Sequence, residues 1–296
     1  MNIIKKILKR TYEIILNHCI YHIRSLKCKF LALYNNKQAI NQNKERKNKI
    51  IVSVTSIPSR FKYLYLCLES IMRQSMKPDK IILYLGNNAK NIELPERLKK
   101  LQKRGLTIEY REDKDLKPHT KYFYAMQEYP NDIVITMDDD ILYNKNVIKK
   151  LYSSYLKHPD AVSAIRVHKI TFTKGKIDKY NDWKIEYKKE DALTPTHYLC
   201  ATGVGGVLYP PHIMPEETFN KENIKQLALN ADDLWLKVMQ VKYNIKVVKA
   251  QKRNYYLLVI KNSQDIALNK SNVIKCENDV MLNSLIDYYK INKKFF

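Results

Sequence analysis

From residue 49 onward the chain alternates short apolar runs with stretches whose apolar residues recur every three or four positions. Residues 50–54, 81–85, 107–110 and 133–137 are apolar or β-branched runs, and each predicts a short buried strand. Between them, residues 61–73 carry Leu64, Leu68, Ile71 and Met72 on one side of a predicted helix. Pro95 opens and Gly105 closes a second helix, the usual order for these two residues. Residues 120–129 and 146–158 predict two more. Strands alternating with helices give an α/β fold, with a largely parallel central sheet and flanking crossover helices. In such sheets ligands bind at the carboxyl ends of the strands.

The pattern changes on either side of this block. Residues 161–172 read as one long β-like run, Lys174-Gly175-Lys176 as a turn, and residues 180–187 are aromatic and charged. Residues 202–209 read as a glycine-rich strand holding Gly203, Gly205 and Gly206, three of the six glycines; glycine inside a strand marks close approach of a ligand or another backbone. Ala231-Asp232-Asp233 opens an amphipathic helix, and residues 245–248 form a late strand. At the other end, Ile3, Ile7, Leu8, Tyr12, Ile15, Cys19, Ile23 and Leu26 fall at roughly helical spacing among lysines and arginines. A basic amphipathic helix lying on an anionic membrane surface fits that mixture. A helix docked on the domain body and simple disorder are the alternatives. The polar residues 35–49 read as a flexible linker. The expected division is a basic helical extension and linker over 1–49, a catalytic domain over 50–260 and a C-terminal helical extension over 261–296.

Charge sharpens the picture. The formal net charge is +23, and residues 1–49 hold twelve Lys or Arg against two Glu. Such a surplus favours polyanions: nucleic acid, acidic lipid or an anionic substrate. The five cysteines (Cys19, Cys28, Cys67, Cys200 and Cys276) are widely spaced and make no C-x-x-C pair, so reduced thiols in a cytosolic setting are expected. The longest apolar stretch near the N-terminus, residues 14–23, contains His18 and His22 and is half the length that a bilayer span needs. No small-residue cleavage site follows it, so a secretory leader is not expected.

The densest chemistry is Asp138-Asp139-Asp140, where the strand over 133–137 ends. Three consecutive carboxylates repel unless something positive sits among them. A divalent cation with oxygen ligands supplies that charge and can hold a diphosphate; a solvated acidic turn is the bland alternative. Lys117, His119 and Lys121 precede a helix N-terminus, a natural place for phosphate. Alternatively His119 and Thr120 cap that helix, with Thr120 at the N-cap.

In chain order, Ser56-Ile57-Pro58-Ser59-Arg60, Leu116 to Tyr122, Asp138-Asp139-Asp140, Gly203-Val204-Gly205-Gly206 and Ala231-Asp232-Asp233 resemble a bacterial glycosyltransferase of GT-A fold, of the kind that builds capsular and lipopolysaccharide surface glycans. The resemblance covers about residues 50–250. It implies an Asp-x-Asp motif binding Mn2+ or Mg2+ with the donor diphosphate, met here by Asp138 and Asp140, with Asp140 the direct ligand. It implies donor contacts from Thr55, Ser56, Arg60, Lys117, His119, Lys121, Asp138 and Asp139. The loop with Gly203, Gly205 and Gly206 falls on the acceptor side. Asp232 and Asp233 match the acids that serve as catalytic base in inverting enzymes, with Asp233 preferred. A third metal ligand, commonly a late histidine, has no match after His212, which leaves water, diphosphate, or His168, His197 or His212 itself. The expectation is transfer from a nucleotide-diphosphate sugar to a surface-glycan acceptor, lipid-linked, at the inner face of the cytoplasmic membrane, with no nucleic acid as partner. Two rivals stand beside it. A nucleic-acid-binding protein is motivated by the charge and 22 tyrosines. A nucleotidyltransferase shares strand-end carboxylates but normally carries a glycine-rich phosphate loop, and residues 55–60 contain no glycine.

Overall fold

The computed structural model describes residues 2–42, 45–111, 116–252, 256–261 and 277–296. A seven-stranded sheet forms its centre. In chain order it takes β1 (Ile50–Ser56), β2 (Lys80–Gly86), β3 (Leu106–Arg111), β4 (Ile133–Met137), β5 (Ala161–Ala164), β10 (Val207–Tyr209) and β11 (Lys246–Lys249). Across the sheet the order is β11-β5-β10-β4-β1-β2-β3. All pairings are parallel except those of β10, which runs antiparallel to both β4 and β5. The α/β class expected from the alternation is the observed one.

β1, β2 and β4 read clearly in the sequence because helices cover both of their faces, so nearly every position is buried. The crossovers are α2 (Phe61–Met72), α3 (Glu96–Gln102), α4 (Thr120–Glu128) and α5 (Val147–Lys157). Besides a small cluster of Ile51, Ile82, Tyr84, Ala125 and Val134 between the sheet and α4, two large apolar cores result. One packs β1, β2 and β4 against α2, α3 and α5. The other gathers Trp235, Leu199, Val207 and Tyr122 with α6 (Lys221–Leu227), α7 (Asp232–Lys242) and α8 (Glu277–Tyr289). Leu282, Leu285 and Tyr289 of α8 are buried in that second core, so the C-terminal helix is part of the body; residues 262–276 lie outside the described residues.

Three expectations are corrected. The run over 161–172 is three separate strands: β5, then β6 (Val167–Lys169), which pairs with β9 (Leu199–Ala201), then β7 (Phe172–Thr173), in a hairpin with β8 (Lys176–Ile177). The chain leaves the main sheet at Ile165-Arg166. Residues 202–209 are likewise no single strand: Gly203–Gly205 form a 3-10 turn between β9 and β10, and Gly206 takes a left-handed φ of 91°. Residues 35–42 and 45–49 are not a free linker. Arg104 accepts the Ala39 N–H on its carbonyl, and Arg46 pairs with Asp79 at 2.5 Å and donates to the Lys77 carbonyl at 2.9 Å.

α1 (Asn2–Tyr34) docks on α2 and α3 through Cys28 and Ala32, so the C-terminal half of the basic extension follows the docked-helix alternative. Beneath it a buried ion pair, Glu69 to Arg104 at 2.5 and 3.2 Å, ties α2 to the turn after α3. Cys19, Cys28, Cys67 and Cys200 are free thiols; Cys276 lies outside the described residues.

Candidate functional site

The carboxyl ends of β1, β2, β4 and β5 open onto one cavity of about 820 Å³. Thr55, Ser56, Arg60, Lys117, Lys121, Asp138, Asp139, Asp140, Asp232 and Asp233 all line it, so residues up to 178 positions apart in sequence meet at one place. Strand ends alone would bring only some of these together. The first turn of α7 supplies Asp232 and Asp233 from the opposite wall.

The charge that separates the three consecutive carboxylates is supplied by the protein. Asp139 is buried, accepts the Ser56 hydroxyl at 2.5 Å and pairs with the Arg60 guanidinium, which also stands 3.8 Å from Asp140. Burial pushes the Asp139 carboxyl up, against the pull of Arg60 and Ser56. Lys121 is enclosed between Asp138 at 2.7 Å and Asp232 at 2.9 Å. Burial disfavours its charge, but Asp138, Asp232 and Asp233 together hold the ammonium well above the ordinary lysine range. Lys121 therefore bridges the two acidic walls instead of projecting freely toward a phosphate. Its position depends on Gly203, where an added Cβ would lie 2.6 Å from the Lys121 Nζ and 2.8 Å from the Asp138 Oδ1.

Asp233 accepts the Gly203 N–H at 3.1 Å. Burial, then the neighbouring Asp232, pushes its carboxyl up to about 8. Burial would raise Asp232 as well, but Lys121 outweighs it and holds Asp232 below its ordinary value. Two adjacent acids are thus set apart, one kept ionised and one kept protonated near neutrality, a pattern typical of acid–base sites.

Asp138 is held by its backbone. The Tyr143 hydroxyl accepts the Asp138 N–H at 2.7 Å and donates to its carbonyl at 3.2 Å, and the Cys67 thiol donates to the same carbonyl at 3.2 Å. Ser53, inside β1, donates to the Lys121 carbonyl at 2.5 Å and fixes the start of α4. Lys117 takes a left-handed φ of 51° at the cavity wall and reaches Asn230 at 2.8 Å.

Not every expected residue faces the cavity. His119 is fully buried: its ring meets the Tyr122 hydroxyl and the Ala228 carbonyl, each at 2.8 Å, and burial pushes it down to about 4. A neutral packed histidine is a structural post, so His119 is removed from the donor contacts. Thr120 is not the N-cap either; His119 holds that place with no side-chain cap bond. Gly205 and Gly206 pack against Arg166 and against Val147 and Leu151, inside the body rather than on an acceptor surface. Of the three histidines considered as metal ligands, only His168 lines the cavity. Its Nδ1 accepts the Glu186 N–H at 3.0 Å, which places the ring proton on Nε2. His197 meets Asn244, and His212 meets Asn131 on the far side.

Arg166 belongs to this wall and was missed. It follows β5, donates to Glu186 at 3.2 Å and to Thr202 at 3.3 Å, and lines the cavity. The strand-end rule that singled out Arg60 would have found it had the run over 161–172 been divided correctly. Tyr143 carried no comparable signal.

Among the described residues no three His, Cys, Asp or Glu side chains already surround one point. Asp138 and Asp140 nevertheless offer hard oxygen donors at a strand end. The cavity wall carries Asp138, Asp139, Asp140, Asp232, Asp233 and Glu186 against Arg60, Lys117, Lys121 and Arg166, so negative charge is still in slight surplus with Asp233 protonated. That suits a hard dication that keeps water or ligand oxygens in its shell.

No curated protein sequence matches the chain. Among solved structures, the mannosyltransferase PcManGT from Pyrobaculum calidifontis, in complex with GDP-Man and Mn2+, aligns over 94% of this chain and 81% of its own, at 12% identity and a TM-score of 0.47. S. aureus TarS 1-349 in complex with UDP aligns over 70% of this chain and 59% of its own, at 16% identity and a TM-score of 0.43. A CMP:2-keto-3-deoxy-manno-octonic acid synthetase complexed with CTP aligns over 78% of this chain and all of its own, at 10% identity and a TM-score of 0.43. The sequence model of glycosyl transferase family 2 matches residues 51–208, from β1 through the strand that flanks β4, which is more than half of the chain. With that match and strand-end acids converging on one cavity, the chain belongs to glycosyl transferase family 2 and is a glycosyltransferase.

Proposed function

We propose that the cavity binds a nucleotide-diphosphate sugar with a divalent cation, Mn2+ or Mg2+, and transfers the sugar by a single inverting displacement. The observation that carries this reading is the pair of opposed acidic walls: Asp138–Asp140 on one side, and Asp233 with its raised carboxyl on the other. Asp140 and Asp138 would hold the cation, which when bound neutralises the charge that builds on the leaving diphosphate. Thr55, Ser56 and Arg60 take the nucleoside end, and Lys117 faces the diphosphate. Lys121 keeps Asp138 and Asp232 at a fixed spacing rather than contacting phosphate directly.

Asp233 is the general base. Its carboxylate takes the proton of the attacking acceptor hydroxyl, and the Gly203 N–H fixes which oxygen faces the cavity. Asp232 stays ionised against Lys121 and keeps the Asp233 proton affinity high. The acceptor is a growing surface glycan carried on lipid. Support comes from the apolar share of the cavity wall, which includes Ile57, Ile185, Leu257 and Val259, and from the long basic α1. The enzyme then works as a cytoplasmic protein on the inner face of the cytoplasmic membrane.

The test is thermal stability against UDP, GDP and CMP donors, each with and without Mn2+. A bound ligand raises the melting temperature by mass action. One nucleotide should raise it only with the cation, and Asp140→Asn should abolish that rise while leaving the unliganded melting temperature near wild type. A flat response in folded wild-type protein, or an unchanged rise in Asp140→Asn, removes the metal and diphosphate from this site.

A further inference from the structure

The outward side of α1 carries an apolar stripe. Leu8, Tyr12, Ile15, Ile23, Leu26 and Phe30 are each 58–66% exposed, and with the exposed Cys19 they recur in steps of three and four. At 3.6 residues per turn such steps stay on one side of a helix. The opposite side, through Ser25, Cys28 and Ala32, is buried against the body. The stripe is therefore not the docking face of the helix; it points away from it. Lys27 and Lys29 are both exposed and fall one on each edge of the stripe.

Steps of three and four would also suit a coiled-coil seam with a second copy. Charge decides against that occupant. A self-paired seam would set these lysine edges against like charge, within a segment that holds twelve cations and two acids. An anionic surface reverses the sign of every one of those contacts. No helix among the described residues is long and apolar enough to cross a membrane, so the helix would lie in the interface plane with its apolar side inward. The helix is also fastened to the cavity wall: Lys261 N–H donates to the Tyr21 hydroxyl at 3.0 Å, and the adjacent Ile260 N–H donates to the Asp140 carbonyl at 2.7 Å.

We propose that the Leu8–Phe30 stripe of α1, edged by Lys27 and Lys29, is the surface by which this protein docks on an anionic lipid bilayer. This deepens the lipid-borne acceptor reading and rests on it, since docking would hold the catalytic cavity beside a membrane-attached acceptor. The experiment uses the full chain in co-sedimentation with vesicles of phosphatidylcholine containing phosphatidylglycerol, and with phosphatidylcholine alone. Wild type should bind the anionic vesicles preferentially. Leu26→Glu/Phe30→Glu should weaken that binding by about tenfold or more, and Lys27→Ala/Lys29→Ala by about fivefold per lysine on anionic vesicles only. Both variants should keep the wild-type thermal shift with nucleotide and Mn2+, which separates loss of docking from loss of the enzyme reading. Undiminished vesicle binding by Leu26→Glu/Phe30→Glu overturns the proposal. A lipid-free dimer in sedimentation velocity that the same variant dissolves would overturn it too, assigning the stripe to a second copy.

Discussion

Replacing Asp233 by Asn should stabilise the protein and destroy its activity at the same time. The buried carboxyl is pushed from 3.8 up to about 8, so ionising it in the folded state is unfavourable. A raised folded value means the group costs nothing below pH 3.8, and stability is lost progressively as pH rises from there to about 8. About four units at 1.36 kcal/mol each set a ceiling of about 5 kcal/mol at pH 8, and coupling to Asp232 and Lys121 brings the expected gain for Asn nearer to about 3 kcal/mol. At pH 5 the same reasoning leaves no more than about 2 kcal/mol. For a chain of this size the gain at pH 8 corresponds to a melting temperature raised by roughly 6–10 °C. Asn still accepts the Gly203 N–H but cannot take a proton, so transfer should fall by about 10²–10⁴-fold. Calorimetry of both proteins at pH 5 and pH 8, with sugar transfer assayed alongside, measures each limb. In wild type, kcat/KM should rise with pH through about 8 as the base ionises. An Asn variant that is less stable than wild type at pH 8, or one that keeps full transfer, refutes the assignment.

Other substitutions probe the supports. Gly203→Ala puts a Cβ 2.6 Å from the Lys121 Nζ, so it should break the Lys121 bridge and cut transfer by about 100-fold or more; wild-type kcat would show that the bridge is not needed. Tyr143→Phe removes the hydroxyl that holds the Asp138 backbone from both sides, and should cost about 1–3 kcal/mol of stability with a weaker apparent affinity for Mn2+, read by thermal shift across a metal titration. Glu69→Gln strands the buried Arg104 and should cost about 3–5 kcal/mol in urea unfolding without changing KM for the donor.

The sequence made half of this fold plain and half of it obscure, for a physical reason. β1, β2 and β4 are buried on both faces, so they appear as unbroken apolar runs, and the amphipathic helices between them bury one side only. Residues 161–209 instead hold strands of two to four residues that belong to three sheets. The apolar run continues across Ile165 while the backbone changes partners, and no glycine or proline marks the break. In the site, the strand-end carboxylates were legible because the fold class says where ligands bind. The fate of Lys121 and His119 was not. Lys121 is set by Asp232, 111 residues away, and His119 by the Ala228 carbonyl, 109 residues away, and a local reading of the helix start sees neither.

The Lys121 bridge also has a consequence for how the chain assembles. Lys121 and Asp138 are only 17 positions apart and meet through β4 and α4, which follow one another in the chain. Asp232 arrives on α7, after β10 has crossed back between β4 and β5. Nearby contacts form before distant ones, and a nascent chain emerges from its N-terminus. Lys121 can therefore bury its charge against Asp138 while the second half is still being synthesised. Asp232 and Asp233 then close over a cation already in place. During folding Asp232 and Asp233 are met by a counter-charge as they enter the interior, and Asp233, which pairs with no cation among the described residues, is the one that the proposed mechanism uses as a base.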